Sequence, residues 1–481
     1  MIRADLCVIG GGSAGLSVAA GAAQMGADVV LIERGRMGGE CLNTGCVPSK
    51  ALLAAARAAQ AVREAVRFGV RADGDGAVDF AAVHRHVHGA IAAIAPHDSQ
   101  ARFEGLGVRV LRSAARFTGP DRVETADGHA VAARRFVIAT GSRPFVPPIP
   151  GLDSVPYLTN ETVFARTTAP DHLIVIGGGP IGCEMAQAHR RLGSRVTLLE
   201  RGTILPKDDP EPVALLRDRL RAEGVDLREG TDVVRVAAGD GRGGSGGGGG
   251  VAVTVSAGGV EQVVTGTDIL VAVGRTPDIH TLDLAAAGIE AGPHGVKVDA
   301  RLRTTNPRVF AIGDAAGGPQ FTHVAGHHAG IVLRNALFRL PSKVDYTALP
   351  WVTYTDPELA NVGLTEAQAR ERHRDVEVLR WPFADNDRAR TEGTTGGFVK
   401  AVVRRNGRIL GATIVGPHAG ELIQTWALAI HAGLKVGALA TMIAPYPTLG
   451  EASKSAAGQF YAPKLFGPRT RALVRLLRRL G

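Results

Sequence analysis

Cys41 and Cys46 are separated by four residues in the run Gly-Gly-Glu-Cys-Leu-Asn-Thr-Gly-Cys-Val-Pro-Ser-Lys, Gly38 to Lys50. Two thiols at that spacing can share a metal, form a structural bridge, cycle as a redox couple, or sit unrelated in a core. A zinc site ordinarily takes four ligands, and the remaining cysteines, Cys7 and Cys183, are isolated and supply no second pair. Four cysteines in 481 residues do not make the disulfide framework of a secreted protein. Cys7 in an apolar strand and Cys183 in a helix read as packed thiols. Cys41 and Cys46 differ, because glycines flank them and an alanine-rich helix opens at about Ser49. The positive end of a helix favours a thiolate. Position and spacing therefore point to a redox couple, one sulfur attacking a substrate while the other meets a cofactor.

The elements that would hold such a pair surround it. Leu6-Cys7-Val8-Ile9 is an apolar run suited to a buried parallel strand, and it leads into Gly10-Gly11-Gly12-Ser13-Ala14-Gly15. A helical stretch follows to Gly26, then a strand Val29–Ile32 ending at Glu33. In this G-x-G-x-x-G pattern the glycines (Gly10, Gly12, Gly15) permit a tight turn, close approach to a pyrophosphate and tight helix–strand packing. The helix N-terminus stabilises the phosphate and Glu33 accepts a ribose hydroxyl. The arrangement recurs: Leu173–Ile176, then Gly177, Gly179 and Gly182 in the same pattern, a helix to Leu192, and a strand Arg195–Leu199 ending at Glu200. Two fingerprints predict two dinucleotide sites. A carboxylate at Glu200 repels a 2′-phosphate, which favours NADH over NADPH, while Arg201 beside it pulls the other way.

Three further apolar runs break at chemically useful positions: Phe136–Ala139 at Thr140-Gly141, Ile269–Val273 at Gly274-Arg275, and Val309–Ile312 at Gly313-Asp314, the last offering an acid to a ribityl or ribose hydroxyl. Gly239 to Gly250 reads as a flexible hairpin loop without chemistry. After about Val344, proline-punctuated strands and a helix from Ala419 to about Ala432 predict a separate α+β domain.

Length predicts roughly 2–4 domains, and a 45% hydrophobic content can bury a large core. No apolar stretch reaches the ~18 residues of a membrane span, and the start at Met1 runs straight into a strand, so a cytoplasmic protein is expected. Net charge is +9, of which Arg469, Arg471, Arg475, Arg478 and Arg479 in the acid-free tail supply five. The body is close to neutral, so nucleic acid is not an expected partner. Leu473, Leu476, Leu477 and Leu480 recur at helical spacing in that tail, which gives either a weak contact with an anionic membrane surface or a solvated terminus.

The run Gly38–Lys50 resembles the active-site signature of the pyridine nucleotide–disulfide oxidoreductases, which include lipoamide dehydrogenase, glutathione reductase and mercuric reductase. Matching motifs follow in order from Ala4 to about Phe460. The resemblance implies an α/β fold of two nested Rossmann-like dinucleotide-binding domains with a C-terminal α+β dimerisation domain. The FAD-binding domain would be discontinuous, 1–150 and 271–344; the NAD(P)H-binding domain would cover 151–270, the dimerisation domain 345–466 and the basic tail 467–481. FAD falls on Gly10, Gly12, Gly15 and Glu33 with Asp314 on the ribityl chain, and NAD(P)H on Gly177, Gly179, Gly182 and Glu200. Thr140, Gly141, Gly274, Arg275 and Gly313 join the cofactor contacts. Cys46 would face the flavin, Cys41 would be the interchange thiol, and Lys50 and Glu184 would form an ion pair beside the flavin. A homodimer would complete each site from the partner subunit.

One position departs from the family pattern. The acid–base histidine before Pro-Thr is replaced by Tyr446 in Ala444-Pro445-Tyr446-Pro447-Thr448, while its orienting glutamate is present as Glu451. Imidazole titrates near ~6.5 and shuttles protons, whereas a phenol near ~10 stays protonated and only donates. Mercuric reductases resemble this chain in carrying a tyrosine here, and Ala419–Gln424 resembles that branch too. This chain has no cysteine after Cys183, and no N-terminal metal-binding module with its own C-x-x-C is expected before the core. His323, His327 and His328 invite a metal or a substitute acid–base reading, against the plainer one of hydrogen-bonding or exposed residues. The expected function is a homodimeric FAD enzyme passing electrons from NADH, through the cysteine pair, to a thiophilic acceptor: Hg(II)-thiolate or a small disulfide. Dihydrolipoamide dehydrogenase is the alternative enzyme, and a non-catalytic flavoprotein redox sensor the alternative of another class.

Overall fold

The apolar run of the first fingerprint forms the end of β1 (Ile2–Ile9), which passes through three glycines into α1 (Ser13–Gln24) and returns as β2 (Val29–Ile32). β1 and β2 pair in parallel, Leu6 opposite Val29 and Ile9 opposite Ile32, so both strands end at the same level and present the glycine turn and Glu33 together. The computed structural model describes residues 1–71, 77–239 and 250–479, and the chain divides into two units. Unit one comprises Met1–Gly177, Ala188–Leu199 and Thr231–Val344.

Among the described residues its largest sheet has seven strands. Arg109–Leu111, β2, β1 and Ala130–Ile138 are parallel neighbours, and Val309–Ala311 pairs in parallel with the outer side of Ala130–Ile138. Side chains alternate across a strand, so β1 feeds two cores. Leu6 and Val8 pack in one cluster with Leu16, Val18, Ile331 and Val332. Cys7 and Ile9 lie in another with Phe117 and Phe136. The redox loop follows directly: α2 (Gly39–Asn43) and α3 (Cys46–Glu64).

The second fingerprint repeats the arrangement with β3 (His172–Ile176), α4 (Pro180–Arg191) and β4 (Arg195–Leu199), and Asp268–Val271 pairs in parallel with β3. The strands Thr231–Ala238 and Val251–Ala257 form an antiparallel pair; residues 240–249 of the glycine run between them lie outside the described residues. Further on, α5 (Thr322–Ala336) buries Val324, Ala325, Ile331 and Val332.

Unit two comprises Gly178–Gln187, Glu200–Gly230 and Asp345–Gly481. Its five-stranded antiparallel sheet runs, in order, Pro350–Thr353, Glu358–Gly363, Ile409–Gly416, Phe398–Arg404 and Val376–Pro382. The helix Ala419–His431 inserts Trp426, fully buried, whose indole N–H donates to Ser453 Oγ at 3.0 Å. A charged residue is buried here as well. Lys400, mid-strand, reaches Asp209, Glu211 and Glu366 at 2.8, 3.1 and 2.7 Å. Burial alone would lower its pKa, but the three carboxylates raise it above the ordinary lysine value, as a buried charge requires.

Candidate active site

Two glycines of the first fingerprint have no room for a side chain. Gly10 adopts φ +111°, and a Cβ there would lie 2.4 Å from the carbonyl oxygen of Ala139. One on Gly15 would lie 1.9 Å from the carbonyl oxygen of Gly10. Glu33 closes the turn: its carboxylate accepts from the N–H of Gly11 and of Gly35, both at 2.5 Å. The redox loop is tied to the same turn. Gly38 N–H donates to Gly11 O at 2.9 Å, Gly12 and Gly38 form a bridge, and Gly39, at φ +59°, leaves only 2.7 Å between an added Cβ and Gly12 Cα.

That close approach sets where the thiols go. Cys41 lies in α2 and Cys46 opens α3, the pair standing as a dithiol. Asn43 braces the turn, donating to the carbonyls of Met37 (3.0 Å) and Gly39 (2.7 Å). Cys46 Sγ lies 3.6 Å from Thr322 Oγ1 at the first residue of α5. Helix-end reasoning bears on Cys46, which opens α3, while Cys41 lies in the preceding α2 and is governed by other contacts. A hydrogen bond to Cys46 and burial push Cys41 up, against smaller opposing pulls from Thr322 and Ser13. In the dithiol state Cys41 thus keeps its proton and shares it toward Cys46, which sits at the positive end of α3. Cys7 and Cys183 are fully buried and raised by that burial, as packed thiols should be.

A polar chain that the motifs did not reveal lies alongside. Glu40, directly before Cys41, pairs with Arg275 through Nη2 and accepts from Asn160 Nδ2 at 2.8 Å, which also reaches the carbonyl of Thr44 at 3.2 Å. Arg275 Nε donates to Ser142 Oγ at 2.8 Å, and Ser142 Oγ donates to Asp314 Oδ2 at 2.5 Å. Arg275 and Asp314, expected at a cofactor, are therefore brought together with the redox loop. Glu40, Asn160 and Ser142 were not expected; the signal available was a carboxylate beside the reactive thiol. Thr140 Oγ1 is buried without a hydrogen-bond partner among the described residues. An orphaned hydroxyl beside Gly10, together with a glycine turn at a helix N-terminus and the Asp314 carboxylate, fits the pyrophosphate and polyol of a flavin dinucleotide.

The second fingerprint has the same turn. Gly177 takes φ +110° with an added Cβ 2.5 Å from Ala272 O, and Glu200 accepts from the N–H of Gly178 at 2.6 Å and Gly202 at 2.8 Å. Gly182 lies in the first turn of α4, and Gly274 adopts φ +132°. Within unit two, Glu184 is buried and accepts from Tyr354 N–H at 2.9 Å. Lys50 lies on α3 in unit one. The proposed partners therefore belong to different units.

Tyr446 is 71% exposed and donates to Asp387 Oδ2 at 3.1 Å. That bond and the Asp387 charge raise its pKa above the ordinary phenol value, so it holds its proton more firmly than a free tyrosine. Glu451 accepts from Thr448 N–H at 3.2 Å, which makes Asp387 the phenol's hydrogen-bonding carboxylate. No group of metal ligands occurs among the described residues. His323 is exposed and stacks on Phe321, His327 is exposed, and buried His328 accepts from Gly313 N–H through Nδ1 at 3.1 Å. The tail forms a helix, α6 (Pro468–Leu477), with Leu473, Leu476 and Leu477 half-exposed. No described helix is long and apolar enough to cross a membrane.

These features define a class: a two-fingerprint α/β protein with a dithiol built into the first nucleotide turn. Residues 4–329 match the pyridine nucleotide-disulphide oxidoreductase family and residues 349–457 its dimerisation domain. The chain belongs to this family and is an NAD(P)H-dependent flavoprotein disulfide oxidoreductase, whose C-terminal domain supports a homodimer. It is 39% identical to a mercuric reductase of Streptomyces lividans, over 95% of this chain and 96% of the relative. It is 35% identical to a dihydrolipoyl dehydrogenase of Geobacillus stearothermophilus, over 95% and 96%. The Cu(II) complex of the HOCl-induced flavoprotein disulfide reductase RclA from Escherichia coli superposes with a TM-score of 0.84 at 28% identity, covering 95% of this chain and all of that one.

Proposed function

We propose that the chain reduces a thiophilic acceptor, with Hg(II) held by thiolates as the favoured substrate. Bound FAD supplies the two-electron relay between reduced nicotinamide and a disulfide. Gly10, Gly12, Gly15, Glu33, Thr140 and Asp314 would hold it, and Cys46, Lys50 and Glu184 are the residues that the family pattern assigns beside it. Cys41 meets the acceptor: the dithiol closes to a disulfide and releases two protons as Hg(II) becomes Hg(0). A small disulfide would close the same pair and leave as two thiols.

Tyr446 carries the choice between these acceptors. A leaving thiol must receive a proton, and a phenol held protonated by Asp387 does not cycle as an imidazole does. Metal reduction needs soft sulfur ligands and no such proton. The mercuric reductase relatives and the copper-bound RclA support a soft-metal acceptor. Glu200 favours NADH over NADPH, and in a homodimer Tyr446 would reach the site of the partner subunit. The second reading, dihydrolipoamide dehydrogenase, is supported by relatives of that name; the third, a redox sensor without turnover, is disfavoured by the juxtaposed cysteine pair.

The test is NADH oxidation by the FAD-loaded protein, first with Hg(II) in excess thiol, then with lipoamide. Mercury-dependent turnover should fall at least ~10³-fold in Cys41→Ser, with little activity on lipoamide, and Tyr446→His should raise only the latter. Fast lipoamide turnover by the unmodified protein would exclude the mercury reading, and slow turnover with every acceptor would favour the sensor.

A further inference from the structure

We propose that Glu40 is a positioning residue for the cysteine pair, fastening the Cys41 turn to the Arg275–Ser142–Asp314 chain and setting the thiolate equilibrium of Cys46 through its charge. The inference rests on family membership and is independent of the acceptor.

Four observations carry it. Glu40 is the residue before Cys41, so any displacement of its carboxylate moves the thiol's own backbone. That carboxylate is held on both oxygens, by Asn160 at 2.8 Å on one and by Arg275 on the other. Asn160 also ties down the Thr44 carbonyl, between the two cysteines, at 3.2 Å. Arg275 in turn reaches Ser142 at 2.8 Å and through it Asp314, the acid placed for the cofactor's polyol. The chain Asn160–Glu40–Arg275–Ser142–Asp314 thus joins the redox loop to the acid placed for the cofactor.

The charges facing Glu40 are Arg275, which favours its carboxylate, and Asp314, Cys46 and Glu161, which oppose it. Burial is the largest influence, and together these raise the carboxyl to about 7. A carboxylate and a neighbouring thiolate repel each other, so their titrations are coupled and the apparent steps belong to the pair. Glu40→Gln removes the negative charge while preserving shape, and leaves Arg275 paired with Asp314 alone, 3.8 Å away. The thiolate should become easier to form.

The experiment follows alkylation of Cys46 by iodoacetamide against pH, by mass spectrometry on the reduced holoenzyme, alongside the rate of FAD release on dilution. Glu40→Gln should alkylate roughly 3- to 30-fold faster at pH 7, for a shift of about half to one and a half pK units, with a single titration step. Glu40→Asp keeps the charge but shortens the reach; it should retain the two-step profile and release FAD several-fold faster. Glu161→Gln, which removes an exposed carboxylate outside the chain of contacts, should move the profile less than threefold. A wild-type alkylation profile in Glu40→Gln, or an equal shift in Glu161→Gln, overturns the assignment of charge. Wild-type FAD release in Glu40→Asp overturns the positioning role. No readout involves an electron acceptor, so failure with mercury and failure of this proposal are separable.

Discussion

The two nucleotide turns agree in nearly every contact and part at one glycine. Gly10 and Gly177 have φ near +110°, and an added Cβ would lie 2.4 and 2.5 Å from the carbonyls of Ala139 and Ala272. Glu33 and Glu200 each accept the N–H of the second glycine of the turn and one two residues further along their own loop. The third glycines differ. A Cβ on Gly12 would lie 3.7 Å from Gly39 Cα and one on Gly39 only 2.7 Å from Gly12 Cα, whereas a Cβ on Gly179 would meet nothing within 4 Å among the described residues. One turn is locked into the element that carries the thiols; the other is open toward an incoming ligand. On the proposed assignment the first turn would hold a resident flavin and the second an exchanging nicotinamide.

Substitution at these glycines is the strongest way to break the comparison. Gly39→Ala forces a Cβ to 2.7 Å from Gly12 Cα at a left-handed φ of +59°; overpacking and strain each cost about 1–3 kcal/mol. Thermal unfolding should fall by several degrees and FAD should be lost on gel filtration. Gly179→Ala has room, so unfolding should be unchanged while the KM for NAD(P)H rises, because the added methyl stands where a pyrophosphate approaches. Equal thermal losses in both variants would show that the open turn is no more open than the locked one.

Acid sharpens the contrast on the flavin side. His328 is buried and neutral, accepting from Gly313 N–H immediately before Asp314. Burial, then the neighbouring His327 charge, lowers its pKa to about 4. The unfolded chain, with an ordinary histidine near ~6.5, takes up the proton first. Stability from this group is therefore complete above about pH 6.5 and is lost as pH falls toward about 4, by up to roughly 3 kcal/mol. His328→Asn, whose Oδ1 can accept the same N–H without titrating in this range, should flatten that part of the pH dependence. Urea midpoints at pH 7 and pH 5 measure it; an unchanged difference between the two pH values would remove His328 as its source.

What could be read from residues alone follows the same division. Both fingerprints were legible because glycine at fixed offsets, an apolar strand and a terminal acid are local requirements, satisfied within about thirty residues. The cysteine pair was legible for the same reason. The Glu40–Arg275 pair was not, since it joins positions 235 apart in the chain and no local pattern marks which carboxylate an arginine will find. Asp387, the partner of Tyr446, lies 59 residues from it and was hidden likewise. The Cys41 proton is held by a hydrogen bond that Cys41 donates to Cys46 and by burial, neither of which a helix-end argument contains.

Glu200 gives the smallest expected effect and the finest test of the two turns. If its role matches that of Glu33, the carboxylate does two things: it holds Gly178 and Gly202, and it meets the ribose of a nucleotide. Glu200→Gln retains an oxygen for one of those N–H groups and removes the charge that repels a 2′-phosphate. The ratio of kcat/KM for NADH to that for NADPH should fall by about 10-fold, an effect of ~1.4 kcal/mol. The change should come mainly through KM, since a contact remote from the nicotinamide contributes equally to ground and transition states. A ratio that stays fixed while both substrates weaken together would mean that Glu200 serves only the backbone, and that nucleotide preference is decided elsewhere in the second turn.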